Sequence, residues 1–143
     1  MWCTKMLVAY DGSTPSHKAL EVARDIATHD AGIEVLLVYV TRLYASGTAA
    51  AGIDTVLFDD MESIRAELED IAATLPNQAT VKMLTGTSPA DLIVRCAVEE
   101  NCDLIVMGSR GKGGVKGYLG SVSYAVTKDS PITVLIAKEE SAR

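Results

Sequence analysis

Five short apolar runs, at residues 6–10, 35–40, 80–84, 104–107 and 132–137, constrain this chain more than any other feature. They are rich in Val, Ile and Leu and show no clean apolar–polar alternation. A strand with one wet face would alternate, so these runs read as strands buried on both faces, the pattern of a parallel sheet covered by helices on each side. The stretches between them have helical spacing. The first spans 15–29, with Ser13 or Thr14 as cap, Pro15 in the first turn, and Ala19, Leu20, Ala23, Ile26 and Ala27 as the inward stripe. The second, 60–75, carries Met61, Ile64, Leu68, Ile71, Ala72 and Leu75 at three- and four-residue intervals. In the third, Ser88 is the expected cap, Pro89 sits where a missing amide costs little, Asp91 completes a capping pattern, and Leu92, Ile93, Cys96 and Ala97 face the sheet. A fourth helix should begin at Ser121, bury Val122, Ala125 and Val126, and stop before Pro131. Residues 44–54 fit neither pattern and are expected to form a mobile loop. The expected fold is α/β, one doubly wound domain over residues 1–143, with a five-stranded parallel sheet and four helices.

With 143 residues there is room for one core, and no disulfide or structural metal is needed to hold it. The 13 basic and 19 acidic residues leave a formal charge of -6, which disfavours a nucleic-acid partner. No apolar stretch approaches the ~20 residues that span a bilayer, so membrane insertion is not expected. The apolar run at 6–10 ends at Asp11, before a signal-peptide core of about 7 to 15 residues could form, which points to the cytoplasm. Cys3, Cys96 and Cys102 lack C-x-x-C spacing, and His17 and His29 lie far from Cys96 and Cys102. The expectation is reduced thiols, surface imidazoles and no protein-held metal.

Chemistry concentrates where glycine does. Six of the eleven glycines, Gly108, Gly111, Gly113, Gly114, Gly117 and Gly120, fall between the fourth strand and the fourth helix. Glycine lets main-chain amides approach a ligand closely, and the helix starting at Ser121 points its unpaired N–H groups into the same space, so a polyphosphate is the natural occupant. Arg110, Lys112 and Lys116 gather positive charge there. Neither G-x-x-x-x-G-K-[ST] nor G-x-G-x-x-G is present, which disfavours a P-loop NTPase and an ordinary dinucleotide fold. With strand order 3-2-1-4-5, the winding reverses between the first and fourth strands, and ligands bind beyond the carboxyl ends at such a point. That crevice is flanked by Ala9, Tyr10 and Asp11 on one strand and Met107 and Gly108 on the other. Asp11 is suited to accept bonds from ribose hydroxyls, and Asp11-Gly12-Ser13 equally suits a turn that caps the first helix.

These residues resemble the ATP-binding branch of the universal stress protein family over essentially the whole chain. The resemblance rests on MetLeuValAlaTyrAspGlySerThrProSer at 6–16, Gly86 with Ser88-Pro89-Ala90, AspLeuIleValMetGlySerArgGly at 103–111, GlySerValSer at 120–123 and ProIleThrValLeuIleAla at 131–137. It implies an adenine nucleotide α-hydrolase-like fold, with adenine between Ala9 and Val40 and main-chain groups of Val40 reading its edge. It further implies that Asp11 and Gly108 hold the ribose and that Met107 lies against the nucleoside. The amides of Gly111, Gly120, Ser121 and Val122 would take the phosphates, helped by the Ser121 hydroxyl, with Tyr10, Arg110, Lys112 and Ser123 completing the site. The implied ligand is ATP, or ADP or AMP, with Mg2+ or Mn2+ bridging phosphate oxygens. One departure bears on that choice: Lys112 to Leu119 holds eight residues where the family's motif usually has nine.

The implied function is nucleotide-dependent regulation in the stress response, through a protein partner the sequence does not name. The family also implies a homodimer joined through the last strand, whose unpaired edge needs cover. Efficient catalysis is not expected, because the loop offers Ser109, Arg110, Lys112, Ser121 and Ser123 but no His or acid near in sequence to serve as a base. Slow ATP hydrolysis, self-phosphorylation on a loop serine, an adenylate-handling enzyme and a dimeric interaction module without triphosphate stay open as alternatives.

Overall fold

The computed structural model describes residues 2–42, 51–111 and 117–139, with residues 51–60 by backbone alone. Strands and helices alternate: β1 (Lys5–Tyr10), α1 (Thr14–His29), β2 (Glu34–Arg42), α2 (Ala51–Thr74), β3 (Ala79–Gly86), α3 (Pro89–Glu99), β4 (Leu104–Gly108), α4 (Ser121–Asp129) and β5 (Thr133–Ala137). All four strand pairings are parallel, as the apolar runs led us to expect, and the order is β3-β2-β1-β4-β5, the one assumed above in locating the crevice. Successive strand residues point to opposite faces, and Leu7 and Val8, Leu37 and Val38, and Ile105 and Val106 are all fully buried. Both faces are therefore covered. One core layer joins Met6, Val8, Leu37 and Val106 to Ala19, Ala23 and Ala27 of α1 and Leu68 of α2. The other joins Leu7, Val38, Ile105 and Met107 to Ile93, Cys96 and Ala97 of α3 and Val126 of α4.

The helix ends show which local signals were strong enough to act. Ser13 caps α1, its Oγ accepting the Ser16 N–H at 3.3 Å, with Pro15 in the first turn. Ser88 occupies the same position before α3 but makes no capping bond, so the Ser88–Asp91 pattern is not formed. Its backbone, at φ -127° and ψ 88°, lacks the extended geometry of Ser13, at ψ 161°, from which a cap reaches the first turn.

The second helix corrects the sequence reading. It begins at Ala51 rather than near residue 60, so residues 51–54, expected in a mobile loop, are helical. Residues 44–50 lie outside the described residues. The stripe read from Met61 onward extends back at four-residue steps through Leu57 to Ile53. Adding turns to an existing helix needs only one hydrogen bond per residue fixed, so Gly52 does not stop it.

All three cysteines are free and buried. Burial, then the neighbouring Asp103, pushes the Cys3 thiol up to about 12. Burial likewise pushes the Cys102 thiol up to about 11 and raises that of Cys96. None is an activated nucleophile. Among the described residues, no helix is long and apolar enough to cross a membrane.

Candidate functional site

The winding direction reverses between β1 and β4, and both strands end at one cleft. After β1 the chain turns sharply at Gly12, whose φ of 83° is a left-handed conformation that glycine adopts without strain. Asp11 Oδ1 accepts the Ser13 N–H at 2.9 Å and the Ser13 hydroxyl at 2.5 Å. Asp11 thus organises the α1 cap. Its second oxygen, Oδ2, is directed at Gly111, 2.6 Å from where a Cβ on that residue would stand. The turn-forming reading of Asp11 is thus realised, and its other oxygen stands beside Gly111 at the cleft.

The glycines serve distinct ends. A Cβ on Gly108 would lie 2.6 Å from the Pro15 carbonyl carbon, so this glycine lets the first turn of α1 seat against the end of β4. A Cβ on Gly120 would lie 3.0 Å from Arg110 Cα, which closes the two ends of the glycine segment on each other. Hydrogen bonds hold that closure: Gly120 N–H donates to Ser109 O at 2.7 Å, and Ser109 N–H donates to Ala137 O at 3.0 Å. Ser123 Oγ donates to Gly108 O at 2.8 Å and pins α4 beneath β4. Gly120 is the N-cap of α4 and supplies no capping side chain, so the first-turn amides of Ser121, Val122 and Ser123 meet the cleft without one. Such amides, with the positive end of the helix dipole, favour an anion.

The cleft encloses about 430 Å³, the size of a small-molecule site, and is lined by every expected site residue except Lys112. Lys112, with Gly113, Gly114 and Lys116, lies outside the described residues. Ala9, Val38, Val40, Ile93, Pro89 and Met107 form an apolar side, while Asp11, Arg110, Gly111 and the start of α4 form a polar one. Two expected residues meet the cleft differently than their side chains suggested. Tyr10 packs its ring into the layer under α1 and α2, where its hydroxyl donates to Glu67 Oε1 at 2.9 Å and lies 3.2 Å from His17 Nε2. Burial first, then the Glu67 bond, raises the phenol's pKa. Arg110 lines the cleft, yet its Nη2 donates to both oxygens of Glu139.

Sequence reasoning missed Ser16, Val38, Arg42, Pro89 and Ile93 as lining residues. Val38 was legible as the residue two before Val40 on the same strand face, and Ile93 belonged to the inward stripe of α3. Arg42 carried no signal. A second cavity, of about 470 Å³, is lined by Trp2, Cys3, Ile26 and Ile33 with Asp25, His29 and Asp30. It adjoins the carboxyl end of α1, and the helix dipole and two aspartates there disfavour an anion.

The model of the universal stress protein family matches residues 3–138 of this chain. A universal stress protein of Thermus aquaticus is 33% identical over 137 residues, covering 93% of this chain and 97% of that protein. Among solved structures, that of MJ0577 from Methanocaldococcus jannaschii superposes with a TM-score of 0.84 at 27% identity, covering 99% of this chain and all of that one. A universal stress protein solved in complex with cAMP superposes with a TM-score of 0.72 at 25% identity, covering 96% of this chain and 98% of its own.

Proposed function

Since the chain belongs to the universal stress protein family, we propose that the cleft beyond β1 and β4 binds an adenine nucleotide, as in the family's ATP-binding branch, and that occupancy regulates a protein of the stress response. The carrying observation is an anion cradle joined to an apolar slot: Gly111, Gly120 and the uncapped first turn of α4 open onto the same cleft as Ala9, Val40 and Met107. A purine suits the slot and phosphates suit the amides. Asp11 lines the same cleft with Oδ2 beside Gly111, and its carboxylate is the group we assign to the ribose hydroxyls. The related structure in complex with cAMP supports an adenine ligand. ATP is the leading candidate, with ADP and AMP as shorter alternatives.

A Mg2+ or Mn2+ ion belongs to this reading as the companion of the phosphates. Binding, rather than turnover, is the proposed activity. The Ser123 hydroxyl is engaged with Gly108 O, and Asp11 Oδ1 with Ser13. The reading also includes a homodimer through β5, which stands at the sheet edge with Val134, Leu135 and Ile136 half-buried. The free buried thiols suit a reducing compartment such as the cytoplasm.

The test is unfolding with ATP, with AMP and without nucleotide, each with magnesium, followed by a phosphate-release assay. A nucleotide at about 100 times its dissociation constant should stabilise the fold by ~2.7 kcal/mol. No stabilisation by any adenine nucleotide would overturn the reading, and rapid phosphate release would assign an enzyme instead.

A further inference from the structure

One cationic side chain lining the cleft already holds a carboxylate. Arg110 Nη2 donates to Glu139 Oε1 at 2.9 Å and to Oε2 at 3.0 Å, and each side chain is only 17% exposed. Glu139 lies two residues beyond β5 and is not itself part of the cleft lining. Its approach is fixed by main-chain bonds, because Ala137 O, at the end of β5, accepts the N–H of Ser109, the residue before Arg110. Ser109 O in turn accepts the N–H of Gly120, the N-cap of α4. Arg110 therefore belongs through its backbone to the turn that would cradle phosphate, and through its guanidinium to the chain end after β5.

A pair this withdrawn from water is weakly screened. Each negative charge added to a ligand at the α4 amides meets the Glu139 carboxylate as well as the guanidinium, so the pair attracts anions less than Arg110 alone would. We propose that Glu139 sets the phosphate charge this cleft accepts, acting as an internal competitor for Arg110 that weakens ATP more than AMP and leaves adenosine unaffected. This rests on the adenine-nucleotide reading above and adds to it a residue that discriminates by ligand charge. A longer phosphate tail brings more negative charge into the cleft that Arg110 lines, whereas adenosine brings none.

Calorimetric titration of adenosine, AMP and ATP into the wild-type protein, Glu139→Gln and Arg110→Gln tests it. Removing the carboxylate charge in Glu139→Gln should tighten ATP by about tenfold, tighten AMP by less, and keep adenosine within about twofold. Arg110→Gln leaves the carboxylate without its cation and should weaken ATP by about tenfold or more, again with adenosine within about twofold. Thermal unfolding establishes which variants are folded, and either one suffices for the test. Should adenosine bind while ATP affinity is unmoved in the folded variants, or should all three ligands shift together, the inference falls and the nucleotide reading stands. Should none of the three bind any of the proteins, both fall.

Discussion

An alanine at position 108 would place its Cβ 2.6 to 2.7 Å from the Pro15 carbonyl carbon and oxygen, atoms that cannot rotate away. An alanine at 111 would meet Asp11 Oδ2 at 2.6 Å, a side-chain atom rather than backbone. Gly108→Ala is therefore expected to lower folding stability by about 1–3 kcal/mol, the usual range for overpacking, and Gly111→Ala by less. Denaturant midpoints check this, and equal losses would show that α1 retreats from β4 without cost. The glycine cluster was legible in the sequence because its density is a local property. That Gly108 serves the seat of α1 was not, since its neighbour Pro15 lies at the other end of the chain. The charge of Arg110 could be read directly, whereas its pairing with Glu139 depends on where β5 ends.

Two connections between elements rest on single side chains. Buried Asn77, between α2 and β3, directs its amide at the carbonyls of Ala27 (3.1 Å), Asp30 (2.9 Å) and Ile33 (2.8 Å), tying that turn to the one between α1 and β2. Asn77→Ala strips a donor from these carbonyls and should cost about 2–3 kcal/mol, measured by chemical unfolding. A loss under about 0.5 kcal/mol would show that water replaces the amide. At the amino ends of β1 and β4, Asp103 accepts the Thr4 N–H at 2.8 Å, the Thr4 hydroxyl at 2.9 Å and the Lys5 N–H at 3.2 Å. Burial opposes its charge, but the donors of Thr4, Lys5 and Cys3 together outweigh burial and hold the carboxyl below its ordinary range. A carboxyl whose pKa is lower in the folded state adds stability above the unfolded value, and that stability is lost as pH falls through the folded one. Asp103→Asn should accordingly flatten the loss of stability below about pH 4, seen in unfolding curves taken from neutral to acid. An unchanged acid limb would assign it to other carboxylates. Neither tie was foreseen, because each joins a polar residue to backbone far away in sequence. The start of α2 was readable in principle, as its stripe reaches back to Ile53, but the Ala- and Gly-containing stretch before it masked the signal.

At the scale of the whole molecule, the described sheet is covered on both faces and ends in two edge strands, β3 and β5. If β5 pairs with a second copy, sedimentation equilibrium should return twice 15.2 kDa. Amide exchange within Thr133–Ala137 should also slow as concentration rises, because the N–H groups that face away from β4 gain partners. A monomer at tens of micromolar, or exchange independent of concentration, would remove β5 as the interface. Apolar runs without alternation, helical stripes between them and a glycine cluster at one strand end were enough to reach the parallel sheet, and the cleft followed once the strand order was assumed. All of these are patterns of near neighbours, and near neighbours fix which face a residue presents. Packing settled the rest: Tyr10 turned to the layer opposite the cleft, Gly108 under Pro15, Asn77 across two turns and Arg110 held by Glu139. Those are choices among distant partners, made by how close the folded chain brings them, and no periodicity along the chain encodes that distance.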